Sequence, residues 1–306
     1  MSDRPFKSPF TGLCAFPLTP ATEDGRVDTD ALQVLLARIV EARAGSIGLL
    51  GSTGSYMYLT RGERRRAVEA AVECVAGRLP IVVGVGALRT DEACALARDA
   101  AVAGADALLL APVSYTPLTE EEAFGHYAAV AAASGLPLCI YNNPTTTRFT
   151  FDDDLLVRLA GMPNITAVKM PLPAAGDFTG ELARLRSRTP DGFAIGYSGD
   201  WGAAEALLAG ADTWHSVVAG LFPKQAAALS EAAMAGDRHR AMDLDRAFAP
   251  FWELFKAHGS LRVVHAAAGL LGLTEAEPQR PLLPLGPEIL PQVEAAIGAV
   301  GGQASV

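Results

Sequence analysis

PIVVGVGALRTDEACALARDAAVAGADALLLA, residues 80–111, decides the fold. Its two ends, 80–85 and 106–111, are short apolar runs, and between them lies an amphipathic, alanine-rich segment that exits through Gly104. Runs of that length and composition suit strands buried on both faces, and the helical period between them returns the chain parallel to where it started. The same alternation extends in both directions. Further strand candidates are 12–17, 46–50, 137–142, 164–170, 193–198 and 212–217, which brings the number to eight. Helix starts are marked as well: Asp28-Thr29-Asp30 precedes Leu32, Leu35, Leu36 and Ile39, and Thr119-Glu120-Glu121-Glu122 has the form of a capping box. Gly45, Gly77, Gly104, Gly135 and Gly210 are the expected helix exits.

Eight strand–helix units in series predict an α/β protein with a closed parallel (β/α)8 TIM barrel rather than an open sheet. Gly84-Val85-Gly86 lacks the third glycine of a dinucleotide fingerprint. The barrel is expected over 1–234. A C-terminal three-helix appendage is expected over 235–306, from helical stretches near 235–257, 260–271 and 287–297 with a proline-rich break at 278–284.

Half of the 306 residues are hydrophobic and 19% are charged, enough for a large core and too apolar for disorder. A net charge of −9 argues against nucleic acid or an anionic membrane as partner. The N-terminal ten residues lack the apolar core of a signal peptide, and no apolar run is long enough to span a bilayer. Cys14, Cys74, Cys94 and Cys139 have no metal-type spacing and read as reduced packing residues, so a cytoplasmic location is expected.

Within this frame Lys169 is the singular residue, alone in the run Ile165-Thr166-Ala167-Val168-Lys169-Met170. Burial disfavours an ammonium, and the free amine is a nucleophile toward carbonyl carbon. The plainer reading is a lysine that snorkels from a strand end or pairs with a carboxylate. Parallel barrels place their chemistry where strands end, so the other strand ends are the places to search. Strand two ends in Gly51-Ser52-Thr53-Gly54-Ser55, a turn whose N–H groups and hydroxyls could hold a carboxylate or could be an ordinary Gly-Ser turn. Strand five ends in Tyr141-Asn142-Asn143-Pro144, and strand eight carries Trp214-His215-Ser216 where aliphatic residues are usual.

Taken together, Gly51-Ser52-Thr53-Gly54, Tyr141-Asn142-x-Pro144, Ala167-Val168-Lys169, Ser198-Gly199-Asp200 and Gln279-Arg280-Pro281-Leu282 resemble the dihydrodipicolinate synthase/N-acetylneuraminate lyase family over essentially the whole chain. The 28 residues between Tyr141 and Lys169 match the family pattern. The resemblance implies class I aldolase chemistry in a homo-oligomer, usually a tetramer. Lys169 would form a Schiff base with pyruvate or another 2-oxo acid, with no metal or organic cofactor. Tyr141 would shuttle protons, Ser52 and Thr53 would bind the carboxylate, and Thr53 would also orient Tyr141. Tyr115 would reach a neighbouring subunit's site.

Departures from the family pattern bear on the substrate. An arginine commonly found two residues after the proline of the Tyr-Asn-x-Pro motif is Thr146 here, and Arg148 stands two residues late. Ser55 replaces a common glutamate, Met170 a common acid, and His215 an aliphatic residue. The Schiff-base machinery is intact, so an aldolase, dehydratase or deaminase is expected. The alternatives are 4-hydroxy-tetrahydrodipicolinate synthase proper, with Arg148 replacing the missing clamp, and a non-catalytic 2-oxo acid binding protein. His215 is either a contact to a substrate hydroxyl, a base, or a packed residue. Asp200 and Trp201 could shape the pocket, although Asp200 could equally cap a helix. Arg61, Arg64, Arg65 and Arg66 read as a solvated face or a subunit contact. His258 and His265 lack ligand spacing, and Asp152-Asp153-Asp154 reads as a helix start.

Overall fold

The computed structural model describes residues 8–301. Strands β1 (Gly12–Ala15), β2 (Ser46–Leu49), β3 (Ile81–Gly84), β4 (Ala107–Leu110), β5 (Leu138–Tyr141), β6 (Ile165–Met170), β7 (Ala194–Tyr197) and β8 (Thr213–Ser216) close into a barrel in chain order. Every pairing is parallel, and β8 returns to β1 with Cys14 opposite His215. Each strand is shorter than its apolar run, because the flanking residues turn out of the ladder into the loops.

Helices α1 (Thr29–Glu41), α2 (Arg61–Val75), α3 (Thr90–Ala103), α4 (Glu120–Ser134), the single turn α5 (Pro144–Thr147), α6 (Asp153–Ala160), α7 (Phe178–Arg186), α8 (Ala203–Leu208) and α9 (Pro223–Met234) follow the strands. In α1 the expected stripe Leu32, Leu35, Leu36 and Ile39 is fully buried. Each such side chain contributes about 1.5–3 kcal/mol of burial free energy. Asp28 caps α1 by accepting from the N–H groups of Asp30 and Ala31. Thr119 and Glu122 form the reciprocal capping box of α4, and Asp152 caps α6.

Of the expected glycine exits, Gly104 and Gly135 are left-handed C-caps. Gly45 is not. The left-handed turn after α1 falls on Arg43, and Gly45 is small because a Cβ there would lie 2.4 Å from the Thr11 carbonyl oxygen. Arg64 corrects the solvated-face reading of α2. Its guanidinium is buried and donates to the carbonyls of Tyr56 (2.8 Å) and Gly86 (2.9 Å), bracing the loops after β2 and β3. Its neighbours do pair at the surface, Arg61 with Asp99, Arg65 with Glu69 and Arg66 with Glu63.

After the barrel come α10 (Arg238–His258), α11 (Ser260–Leu270) and α12 (Leu290–Ala299), the three expected C-terminal helices. α10 packs on α8, α9 and α12. The junction between α10 and α11 brings Phe255 and Ser260 to the barrel mouth.

Two layers of core result from the period-two alternation of strand side chains. One lies between barrel and helices and takes Leu13, Ala15, Val168, Tyr197 and Trp214. The other fills the barrel and takes Cys14, Phe16, Leu109, Cys139, Tyr141 and Ala167. Cys14 and Cys139 are free, buried thiols, and burial pushes Cys14 up to about 11, which suits inert packing residues. No helix among the described residues is long and apolar enough to cross a membrane.

Candidate active site

Lys169 is two residues beyond Ala167, so the alternation that turns Ala167 into the barrel also turns the lysine inward. The residue is 4% exposed. Its Nζ lies 4.2 Å from the centre of the Phe16 ring and 4.0 Å from that of Tyr141. This is not a lysine reaching from a strand end into bulk water. Lys169 forms part of the wall of a cavity of about 630 Å³ at the carboxyl end of the strands. Among the described residues no cluster of three or more histidine, cysteine, aspartate or glutamate side chains has metal-binding geometry.

Phe16 carried no sequence signal of its own, yet it shapes this floor. Its ring lies across β2 and the following loop, where a Cβ on Gly48 would approach it to 2.2 Å and one on Gly51 to 2.6 Å. The two glycines are therefore the only side-chain choice that leaves room for the ring. Beyond Gly51 the loop presents Ser52 and Thr53 to the cavity. It is closed by Ser55, whose left-handed φ of 55° is sterically costly for a non-glycine residue.

At the exit of β5, Tyr141 is opposite Lys169 in register. Its hydroxyl accepts a hydrogen bond from Asn143 Nδ2 at 3.0 Å. Thr53 lines the same cavity, but the group that holds Tyr141 is Asn143, the unspecified position of the Tyr-Asn-x-Pro motif. Asn143 also donates to Thr146 Oγ1 (3.0 Å) and accepts from Thr145 Oγ1 (2.9 Å). Thr145 and Thr146 line the cavity through the short α5 turn. Arg148 does not. It ends that turn with a left-handed φ of 56°, exposed and outside the cavity wall. Tyr115 is 97% exposed and is also outside the wall in the single chain.

The exits of β7 and β8 are tied together by Asp200, which is 2% exposed. Its carboxylate accepts from Trp214 Nε1 (3.0 Å), from the N–H of Val217 and from that of Val218 (2.8 Å). It therefore serves the start of the 3₁₀ turn Val218–Gly220 at the exit of the adjacent strand rather than the turn Asp200–Gly202 that it begins. This explains the tryptophan on β8: Trp214 points outward to Asp200. Burial raises the Asp200 carboxyl to about 6, against the pull of its three N–H donors.

His215 points inward and is 2% exposed, with its ring centre 5.9 Å from that of Phe16 and its Nδ1 without a hydrogen-bond partner. Gly196 on β7 makes its space, since a Cβ there would lie 2.8 Å from His215 Nε2. Burial, and then the nearby Lys169, hold the imidazole well below its ordinary value. A ring so placed favours its neutral form, which counts against the near-neutral base among the expected roles.

Comparisons with known proteins identify the family to which this fold belongs. The model of the dihydrodipicolinate synthetase family matches residues 9–300. The 4-hydroxy-tetrahydrodipicolinate synthase of Neisseria meningitidis serogroup B is 32% identical over 284 residues, 93% of this chain and 96% of that protein. That of Nitrosomonas europaea is 35% identical over 281 residues, 90% of this chain and 93% of the other. A crystal structure of dihydrodipicolinate synthase from Agrobacterium tumefaciens superposes with a TM-score of 0.95 at 62% identity, covering 96% of this chain and 99% of that one. The enzyme from Acinetobacter baumannii, solved in complex with pyruvate, superposes with a TM-score of 0.88 at 30% identity, covering 95% and 99%. This chain is a lyase-type enzyme belonging to the dihydrodipicolinate synthetase family.

Proposed function

We propose that Lys169 condenses with the ketone of pyruvate or a related 2-oxo acid and that the chain catalyses aldol cleavage or condensation, or dehydration, through that Schiff base. The observation that carries this reading is the buried Nζ, held between the Phe16 and Tyr141 rings at the floor of the cavity. The unprotonated amine adds to the keto carbon, and loss of water from the carbinolamine leaves an iminium. Removal of a proton from the adjacent carbon gives an enamine, which attacks an aldehyde carbon. Cleavage runs the same steps in reverse. Hydrolysis returns Lys169 and product, and the cycle uses no metal or organic cofactor.

Tyr141, in register with Lys169 and held by Asn143, is the proton carrier in this scheme. Ser52 and Thr53 take the carboxylate of the 2-oxo acid at the opposite wall. Exposed Tyr115 is read as a group offered to a second copy of the chain in a homo-oligomer. Residues 1–234 are read as the catalytic barrel and 235–306 as its appendage, which lends Phe255 and Ser260 to the rim.

The names of the curated relatives favour a second reading, 4-hydroxy-tetrahydrodipicolinate synthase itself. The cavity wall counts against it, because Thr146 occupies the place of the usual arginine and Arg148 lies outside. Borohydride reduction in the presence of a panel of 2-oxo acids, followed by intact-mass spectrometry and peptide mapping, tests the first reading. A reduced adduct on Lys169 supports it; folded protein that traps none of the acids refutes it and leaves a non-catalytic binding protein. Condensation of pyruvate with aspartate semialdehyde tests the second reading.

A further inference from the structure

The turn that presents Ser52 and Thr53 is held in an unfavourable form. Ser55 closes it with a left-handed φ of 55°, and the Ser55 N–H donates to the Ser52 carbonyl at 3.2 Å. A non-glycine residue stays in that region only where its surroundings hold it there, and turns of this kind collect at ligand clamps. The residue that follows the strained serine is Tyr56, and its backbone is where the hold is applied.

Arg64 supplies it. From near the start of α2 its Nε donates to the Tyr56 carbonyl at 2.8 Å and its Nη1 to the Gly86 carbonyl at 2.9 Å, while Nη2 lies 3.9 Å from Met57 Sδ. The central carbon of the guanidinium is 5.0 Å from the centre of the Tyr56 ring. None of these partners is a carboxylate, so a buried cation is spent on two backbone carbonyls from different loops. Burying a charge without an ionic partner is costly, and only the planar fork of an arginine holds two carbonyls at a fixed separation. Tyr56 carries the constraint onward. Its ring is buried and shares a small void with Gly51, Ser52, Gly86 and Tyr141, so it backs both the turn and the proton carrier.

We infer that Arg64 is the positioning residue of the carboxylate site: by joining the loops after β2 and β3 at Tyr56 and Gly86, it fixes the turn Gly51–Ser55 in the form that offers Ser52 and Thr53 to a 2-oxo acid. This rests on the Schiff-base reading of Lys169 and on the place given there to the carboxylate. Arg64 is not part of the cavity wall. It acts through the backbone, so its loss weakens capture of the carboxylate and leaves the amine chemistry in place.

The test is borohydride trapping of pyruvate and of methyl pyruvate, which keeps the ketone but carries no charge, by the wild-type enzyme, Arg64→Met and Arg64→Lys. Intact mass gives the trapped fraction as a function of concentration. In Arg64→Met the pyruvate concentration for half-maximal trapping is expected to rise at least about tenfold, the scale of a misplaced binding group, and that of methyl pyruvate less than about threefold. The plateau is expected to persist, because Lys169 is untouched. A residue that only stabilised the fold would lower the thermal midpoint and leave the ratio between the two ligands unchanged. Arg64→Lys keeps the charge but cannot span both carbonyls, so it too should lose pyruvate preferentially, and it is read alone if Arg64→Met does not fold. An unchanged ratio in Arg64→Met, or the wild-type ratio in Arg64→Lys, overturns the inference and leaves the Lys169 reading standing. A wild-type enzyme with no preference for pyruvate over its ester refutes the placement of the carboxylate and the inference with it. A wild-type enzyme that traps neither ligand refutes the Schiff-base reading itself.

Discussion

Replacing Asp200 by asparagine measures what it costs to bury the carboxylate that ties β7 to β8. Burial raises this carboxyl from 3.8 to about 6. Between those values the unfolded chain has released the proton and the folded chain still holds it, so the folded state binds more protons and loses stability as pH rises. The contribution is fully present below 3.8 and is lost as pH passes 6. A shift of that size corresponds to about 3 kcal/mol in all. About 2 kcal/mol of it falls between roughly pH 4.5 and 7.5. Asparagine keeps the shape and one acceptor oxygen but does not titrate, so the variant lacks this slope. Its amide also places N–H groups against Trp214 Nε1 or Val218 N–H, an offset of about 1–3 kcal/mol that does not depend on pH. Urea unfolding of both proteins across that pH range, read as the difference between them, cancels the titration of other groups. The wild-type protein should lose about 2 kcal/mol relative to Asp200→Asn as pH rises through the window. A difference independent of pH, or a wild type that gains on the variant, would refute the reasoning and mean that the three N–H donors outweigh desolvation.

Further expectations follow from the same geometry. Lys169→Ala should abolish borohydride-trappable adducts and lower turnover by at least about a thousandfold. Its circular dichroism and thermal midpoint should stay close to wild type, because the change removes a buried polar amine rather than a packed apolar group; near-normal activity would end the Schiff-base account. Tyr141→Phe should lower kcat by about 10²–10⁴ while still allowing trapping of the 2-oxo acid, which stopped-flow or quench kinetics can separate. Gly196→Ala should destabilise the barrel by about 1–3 kcal/mol. The new methyl would lie 2.7 Å from the Thr213 carbonyl oxygen and 2.8 Å from His215 Nε2, and an unchanged thermal midpoint would contradict that placement.

Much of this protein is determined locally and is therefore legible in the residue order. Strand–helix alternation, the caps at Asp28 and Thr119 and the parity that turns Lys169 inward depend on neighbours within a few positions. From them came the closed barrel and the buried lysine, and the spacing of Tyr141 to Lys169 supported the family. What the sequence by itself could not determine depends on groups separated in the chain that meet only when neighbouring strands are laid side by side. Phe16 becomes part of the site because Gly48 and Gly51 on the next strand leave space for its ring. Asp200 could shape the pocket or cap a local helix; it lines the cavity, and the turn it serves is the one after β8, with Trp214 as a further donor. Arg64 looked like one of four surface arginines, and only the folded loops supply the carbonyls that bury it. Arg148 and Thr146 are two residues apart, and a single left-handed turn decides that the threonine faces the cavity and the arginine does not. Periodicity reports which side of an element a residue occupies, whereas desolvation and hydrogen-bond partners are properties of the closed barrel, in which all eight strand ends converge.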